Sequence, residues 1–188
     1  MWEQARETAT HVYFLRGPFS QWHPSWFSAP LEQGGASLAF NCTEQYMMAS
    51  KAALFGDAET LAQIMAIQPD DKPFYLVPLQ QRALGRQVRS FVDATWRDAA
   101  RHVVYRGNLA KFSQDEELRR LLLATGDKVL VEGSAKDRLW GVGLAWDDPE
   151  IEEQAKWRGS NWLGQVLMQV RDALQQASQA GTTPPWRW

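Results

Sequence analysis

The chain has 188 residues, 45% of them hydrophobic and 22% charged, with 20 Lys and Arg against 22 Asp and Glu. These fractions exclude disordered, collagen-like and mucin-like chains, and the near-neutral balance argues against a protein that coats nucleic acid by charge alone. A chain of this length buries a sizeable core, so one compact domain is expected. The lone cysteine, Cys42, closes no intramolecular disulfide. The first residues lack a signal-peptide pattern and no apolar run reaches the ~20 residues that span a bilayer, so a cytoplasmic protein is the expectation. Ten Trp stand against 4 Tyr and 8 Phe, a surplus that fits either a thick core or a slot for a flat base.

In chain order, GPFSQWHPSWFSAP from Gly17 to Pro30 predicts loop and short extended pieces. Asn41-Cys42-Thr43-Glu44, an N-cap with an acid three residues on, predicts a helix over TEQYMMASKAALF that stops at Gly56. Asp57 caps a second helix that ends before Pro69. Asp93 caps a long helix in which Trp96, Ala100, Val103, Gly107 and Ala110 share a stripe, and Ser113 with Glu116 predicts another capping box. KVLVE, Lys128 to Glu132, is the best strand. Pro149 starts a short helix, Asn161 opens a last one with Leu163, Val166, Leu167, Val170 and Leu174 on one face, and Ser178 to Trp188 reads as a tail. The class is mainly α: a single-domain helical bundle with a small β element.

The three histidines have no metal-ligand spacing, and phosphate-loop, dinucleotide and nucleophile-elbow signatures are missing. No metal or cofactor is expected. Three polar features remain. Glu44 and Lys51 lie two helical turns apart on one side, either as a functional pair or as a capping acid and a solvated lysine. Asp137-Arg138-Leu139-Trp140-Gly141 leaves the strand as a turn that either lines a pocket or buries a Trp. Arg82, Arg86, Arg89, Arg97, Arg101, Arg106 and Lys111 form a basic series that either grips phosphate or faces solvent, and Asn108 neighbours Lys111 on the same helix.

Taken in order, FSQWHPSWF, FNCTEQYMMASKAALFGD, LGRQV, GNLAKF, LLLATGDKVLVEGSAKDRLWGVGL and SNWLGQVLMQVRDAL resemble the NADAR family, also called YbiA-like or DUF1768. The resemblance covers roughly Tyr13 to Leu174 and divides the chain into an extension (1–12), a NADAR domain (13–177) and a tail (178–188). It implies a mostly helical fold and an N-glycosidase. Family members hydrolyse the C1′–N bond of phosphoribosylamino-pyrimidines in riboflavin synthesis, and others remove ADP-ribose from guanine. Carried over, the positions are Glu44 and Lys51, Trp96, and Asp137 with Trp140; Asn108 and Lys111 of GNLAKF are also family positions. The chain departs from the pattern in a longer KPFYLVPLQQ stretch, in Val92 where an aspartate is expected, and in Arg82 as the base nearest before LGR.

Cleaving a ribose C–N bond develops positive charge on the sugar and requires a proton at the departing nitrogen. Carboxylates meet both needs in sugar–oxygen cleavage, and the logic extends to C–N bonds. Glu44 is therefore expected as general acid/base, and Asp137 as the group that orients ribose or activates water. Lys51 would support Glu44 or hold phosphate, with Trp96 and Trp140 stacking on the base and Arg86, Asn108 and Lys111 binding substrate. The substrate is expected to be a ribosyl-phosphate or ADP-ribosyl small molecule, with nucleic acid only as a modified substrate and no membrane. The alternatives are an ADP-ribosyl-guanine hydrolase and a non-catalytic ADP-ribose-binding module.

Overall fold

The computed structural model describes residues 4–70 and 73–182. Its contacts divide into two units, Pro24–Asp115 and the described parts of Met1–His23 with Glu116–Thr183.

The first unit opens with a hairpin whose first strand falls in the stretch expected as loop and short extended pieces and whose second was not expected, both being only four residues long and too short to show alternation. Numbering strands in chain order over the whole molecule, these are β3 (Phe27–Pro30) and β4 (Ser37–Phe40), antiparallel with Phe27 opposite Phe40. The two rings stack at 5.6 Å and both meet Tyr46, Phe40 edge-on at 5.0 Å. Tyr46 belongs to α1 (Thr43–Leu54), which packs against α2 (Ala58–Ala66), α3 (Leu76–Gly85) and α4 (Asp93–Gln114). Every residue of α1 from Thr43 to Ser50 is buried, so its polar side chains must find partners inside. Two glycines permit the close packing. A Cβ at Gly85 would stand 2.1 Å from Met48 Sδ, and one at Gly107 would stand 2.6 Å from the Tyr46 ring.

The helix starts differ from expectation at three points. Cys42, not Asn41, is the N-cap of α1, and it makes no side-chain cap bond. Val92 is the N-cap of α4, which puts Asp93 inside the first turn, where it pairs with Arg97 at 2.7 Å. The capping box of Ser113 and Glu116 does not form, because α4 continues through Ser113 to Gln114 and breaks at the extended Asp115. Gln114 instead exchanges hydrogen bonds with the backbone of Ser28 on β3, at 2.8 and 3.0 Å. Asp57 caps α2 as expected, accepting from Thr60 N.

The second unit holds a three-stranded sheet in the order β1 (Ala5–Glu7), β2 (His11–Phe14), β5 (Val129–Glu132). β2 runs antiparallel to β1 and parallel to β5, the strand foreseen in KVLVE. On it packs α6 (Trp162–Gln179), which also meets α5 (Glu116–Leu123). The apolar face of α6 is buried at all five expected positions, each contributing about 1.5–3 kcal/mol relative to exposure. Asn161 precedes α6 with φ 52, a left-handed conformation asparagine tolerates. Its side chain does not cap the helix; it receives a hydrogen bond from Glu132 N and donates one to Leu130 O, tying α6 to β5. Pro149–Glu152 is a 3-10 turn capped by Asp148. The expected tail begins later than Ser178, since α6 runs to Gln179, and residues 183–188 lie outside the described residues. Helices dominate, as the mainly α expectation has it, but the β component is two small sheets rather than one strand.

Candidate functional site

The start of α1 is organised by buried amides. Gln45 Oε1 accepts the backbone N–H of Asn41 at 2.9 Å, and Gln45 Nε2 donates to Ile64 O at 3.1 Å. Asn41 in turn donates to Ile67 O and accepts from Gln81 Nε2, both at 2.9 Å, and the Cys42 thiol donates to Gln81 Oε1 at 3.2 Å. Gln45 thus reaches back from the first turn to the backbone before the helix. The Glu44 side chain is buried, in the first turn of a helix whose amide dipoles favour negative charge.

Burial pushes the Cys42 thiol up to about 12, with the Glu44 charge adding to the rise. A neutral thiol is a poor nucleophile, so Cys42 serves as a buried hydrogen-bond donor. Lys111 on α4 is fully buried, and that burial draws its ammonium down to about 7, against the opposing influence of Cys42 and Asp115. The thiol therefore feels both the acid of α1 and the base of α4. Asn108, one turn earlier on α4, donates to Val104 O at 2.8 Å, while its Oδ1 is buried without a hydrogen-bond partner among the described residues. Such an acceptor is costly unless a ligand or water completes it.

Further along α1 lies a cluster of different chemistry. Lys51 Nζ donates to Gly85 O at 2.8 Å, stands 4.1 Å from the centre of the Phe91 ring and 5.9 Å from that of Trp96. Its pKa is lowered, first by burial and then by the Arg86 cation. The close contact of Gly85 with Met48 brings that carbonyl within reach of Lys51. Of the residues singled out in the sequence, Lys51 and Trp96 lie side by side, with the Arg86 charge near enough to act on Lys51. Phe91 was missed: it precedes α4 in a segment with no periodicity to mark it.

The basic series does not form one face. Arg89 pairs with Asp57 and Glu59, Arg97 with Asp93, Arg106 donates to the carbonyls of Pro30 and Leu31, and Lys111 is buried.

Asp137 and Trp140 belong to the other unit, in the turn leaving β5. Asp137 Oδ1 accepts from Leu139 N at 2.9 Å and Trp140 N at 2.8 Å, and its own carbonyl accepts from Gly143 N. A Cβ at Gly141 would come within 2.9 Å of Glu132 O and 3.0 Å of Asp137 O, so the turn depends on that glycine. Trp140 is half-buried and meets Trp162 edge-on at 5.6 Å. Among the described residues, no group of three His, Cys, Asp or Glu could hold a metal ion, and no helix is long and apolar enough to cross a membrane.

The NADAR domain family model matches residues 11–175. The chain is 40% identical over 158 residues to an N-glycosidase of Acanthamoeba polyphaga mimivirus, covering 84% of this chain and 88% of that one. It is 27% identical over 168 residues to a chloroplastic riboflavin biosynthesis protein PYRR of Zea mays, covering 89% of this chain but 24% of that longer protein. Among solved structures, the E. coli protein YbiA, determined by NMR, superposes with a TM-score of 0.66 at 26% identity, covering 94% of this chain and 90% of YbiA.

Proposed function

The chain belongs to the NADAR domain family, and from that premise we propose that it is a hydrolase of N-glycosyl compounds that cleaves a ribose C1′–N bond. The observation that carries the reading is the buried carboxylate of Glu44 in the first turn of α1, where the helix amides favour negative charge.

In the proposed reaction, water adds its oxygen to C1′ as the C–N bond breaks, and a proton reaches the departing nitrogen. Glu44 handles that proton as general acid/base, a role worth typically 10²–10⁴-fold in rate. Lys51 and Arg86 hold the phosphate, and Trp96 stacks on the base; for Asp137 and Trp140 the family resemblance implies orienting ribose or water and stacking. Asn108 Oδ1, buried and uncompleted by the protein, is a ready acceptor for a ribose hydroxyl, with Lys111 beside it.

The substrate reading is a phosphoribosylamino-pyrimidine intermediate of riboflavin biosynthesis. Supporting it are the likeness to the maize riboflavin biosynthesis protein and a cluster that joins two cations to aromatic rings. In the basic series Arg89 and Arg97 are engaged by acids and Lys111 is buried, which gives no support to a polynucleotide track. The test is a product assay on purified protein with an EDTA control. The phosphoribosylamino-pyrimidine, ADP-ribosylated guanosine and NAD are supplied separately. Ribose 5-phosphate from the first alone is the expected result. ADP-ribose released from the second would move the protein to reversal of guanine modification, and saturable ADP-ribose binding without turnover would make it a binding module.

A further inference from the structure

The connection between α3 and α4 is held more tightly than a surface loop requires. Asp57, the N-cap of α2, has a side chain only 1% exposed, yet it is surrounded by donors from that connection. Its Oδ2 accepts from Arg89 N at 2.9 Å, and its Oδ1 from Arg89 Nη2 at 2.7 Å and Nε at 3.2 Å. Thr60 adds its hydroxyl at 2.7 Å and its backbone N–H at 3.2 Å. Arg89 reaches out to Glu59 as well, at 3.1 Å. Backbone and side chain of a single residue are therefore locked to one buried carboxylate.

The next residue, Ser90, has φ 56, a left-handed backbone that a serine adopts at a cost and keeps only where its surroundings enforce it. That turn aims Phe91. Its ring packs edge-on against Phe55 at 5.3 Å and lies over Lys51, yet the residue remains 41% exposed. An aromatic ring anchored on one side and open on the other, beside a partly exposed Trp and two cations, has the make-up of a wall for a flat, anionic ligand.

We propose that Phe91 is a substrate-contacting, specificity-determining residue, which with Trp96 forms the aromatic walls for the heterocycle of a phosphorylated nucleoside-like substrate. Asp57 and Arg89 are the positioning residues that hold Phe91 there. The assignment rests on the glycosidase reading of the same cluster for its substrate class. The heterocycle stacks on rings, while Lys51 and Arg86 answer the phosphate. Loss of Phe91 therefore weakens ring-bearing ligands and spares ligands that carry phosphate alone. Arg89 touches no substrate in this arrangement and acts only through Phe91.

The experiment measures binding to the intact protein with three probes: AMP, adenosine and ribose 5-phosphate. Wild type, Phe91→Leu, Phe91→Trp, Arg89→Ala and the Arg89→Ala/Phe91→Leu double variant are compared by calorimetry. Phe91→Leu is expected to bind AMP and adenosine about tenfold more weakly, at the lower end of what stacking on an aromatic ring supplies, with ribose 5-phosphate unchanged. Phe91→Trp is expected to retain AMP affinity. Arg89→Ala is expected to lose part of the same affinity, and to lose nothing further when Phe91 is already Leu; an interaction routed through one ring is non-additive in this way.

Equal AMP affinity in wild type and Phe91→Leu would overturn the proposal, as would no AMP binding to wild type or an equal loss of ribose 5-phosphate. Additive losses from Arg89→Ala and Phe91→Leu would remove the positioning role. Turnover of the N-riboside by wild type separates the two readings. Turnover with unchanged AMP affinity in Phe91→Leu sinks this inference alone, whereas no turnover with the predicted AMP pattern sinks the glycosidase reading alone.

Discussion

Gln45 Oε1 accepts the backbone N–H of Asn41 at 2.9 Å, a bond that ties the first turn of α1 to the residue before its N-cap. Beside it Glu44 is a buried carboxylate in the positive end of the helix. The remaining structural relationships around α1 bear on measurable properties.

Gly85 links packing to the Lys51 cluster. A Cβ there would meet Met48 Sδ at 2.1 Å and Cγ at 2.8 Å, so Gly85→Ala must displace the Met48 side chain or push α3 away from α1, disturbing the Gly85 carbonyl that Lys51 bonds. The expected cost is about 1–3 kcal/mol of stability, read by urea unfolding. Reduced phosphate affinity is expected with it. Wild-type stability in Gly85→Ala would contradict the close packing described.

Asp57 gives the fold an acid limit. Its hydrogen bonds with Arg89 and Thr60 hold its carboxyl well below the usual carboxylate range. A depressed folded pKa means that the unfolded state binds the proton more readily. The contribution is fully present above the unfolded value near ~4 and is lost as pH falls through the folded one. The melting temperature is expected to fall on acidification below about pH 4, and Asp57→Asn to flatten part of that fall. An unchanged acid profile in the variant would show that the pair contributes nothing to it.

Lys111 acts at the other end of the scale. Burial lowers its folded pKa to about 7, against roughly 10.4 in the unfolded chain. Between those values the unfolded state binds more protons, so this residue makes stability rise with pH from about 7 to about 10. Lys111→Met, which fills similar space without a charge, is expected to remove that rise. Denaturant midpoints measured across the window check it, and a slope unchanged by the substitution would contradict the assignment.

Trp140 is half-buried, with Trp162 edge-on against it. Trp140→Ala is expected to cost at least the ~0.5–1.5 kcal/mol of an aromatic pair and also to weaken nucleotide binding. Calorimetric titration with AMP reads the second effect. Unchanged affinity would assign the ring to packing alone.

Much of this architecture is legible in the sequence, and the exceptions have physical causes. The apolar stripe of α6 and the Asp57 cap of α2 follow from spacing, because each depends on near neighbours. The sheet of β1, β2 and β5 does not, since three- and four-residue strands carry too little alternation and β2 pairs with a strand more than a hundred residues away. Caps misled where a tertiary partner intervened: Asn41 turns to Ile67 and Gln81, and Asn161 turns to β5. Lys51 and Trp96 are site candidates from motif blocks and Arg86 from the basic series. The motif phenylalanine before Val92 is Phe91, but it carries no site role in the sequence, because the Ser90 turn and the Asp57–Arg89 clamp that aim it arise only in the fold.

The most direct test of the glycosidase account compares ribose 5-phosphate release by wild type and Glu44→Gln, with the phosphoribosylamino-pyrimidine as substrate and unfolding followed alongside. Glutamine keeps the shape of the side chain but cannot transfer the proton. A loss of at least about 100-fold in kcat is predicted, with little change in unfolding because the amide nearly matches the carboxylate in shape. Full activity in Glu44→Gln would contradict the role given to Glu44.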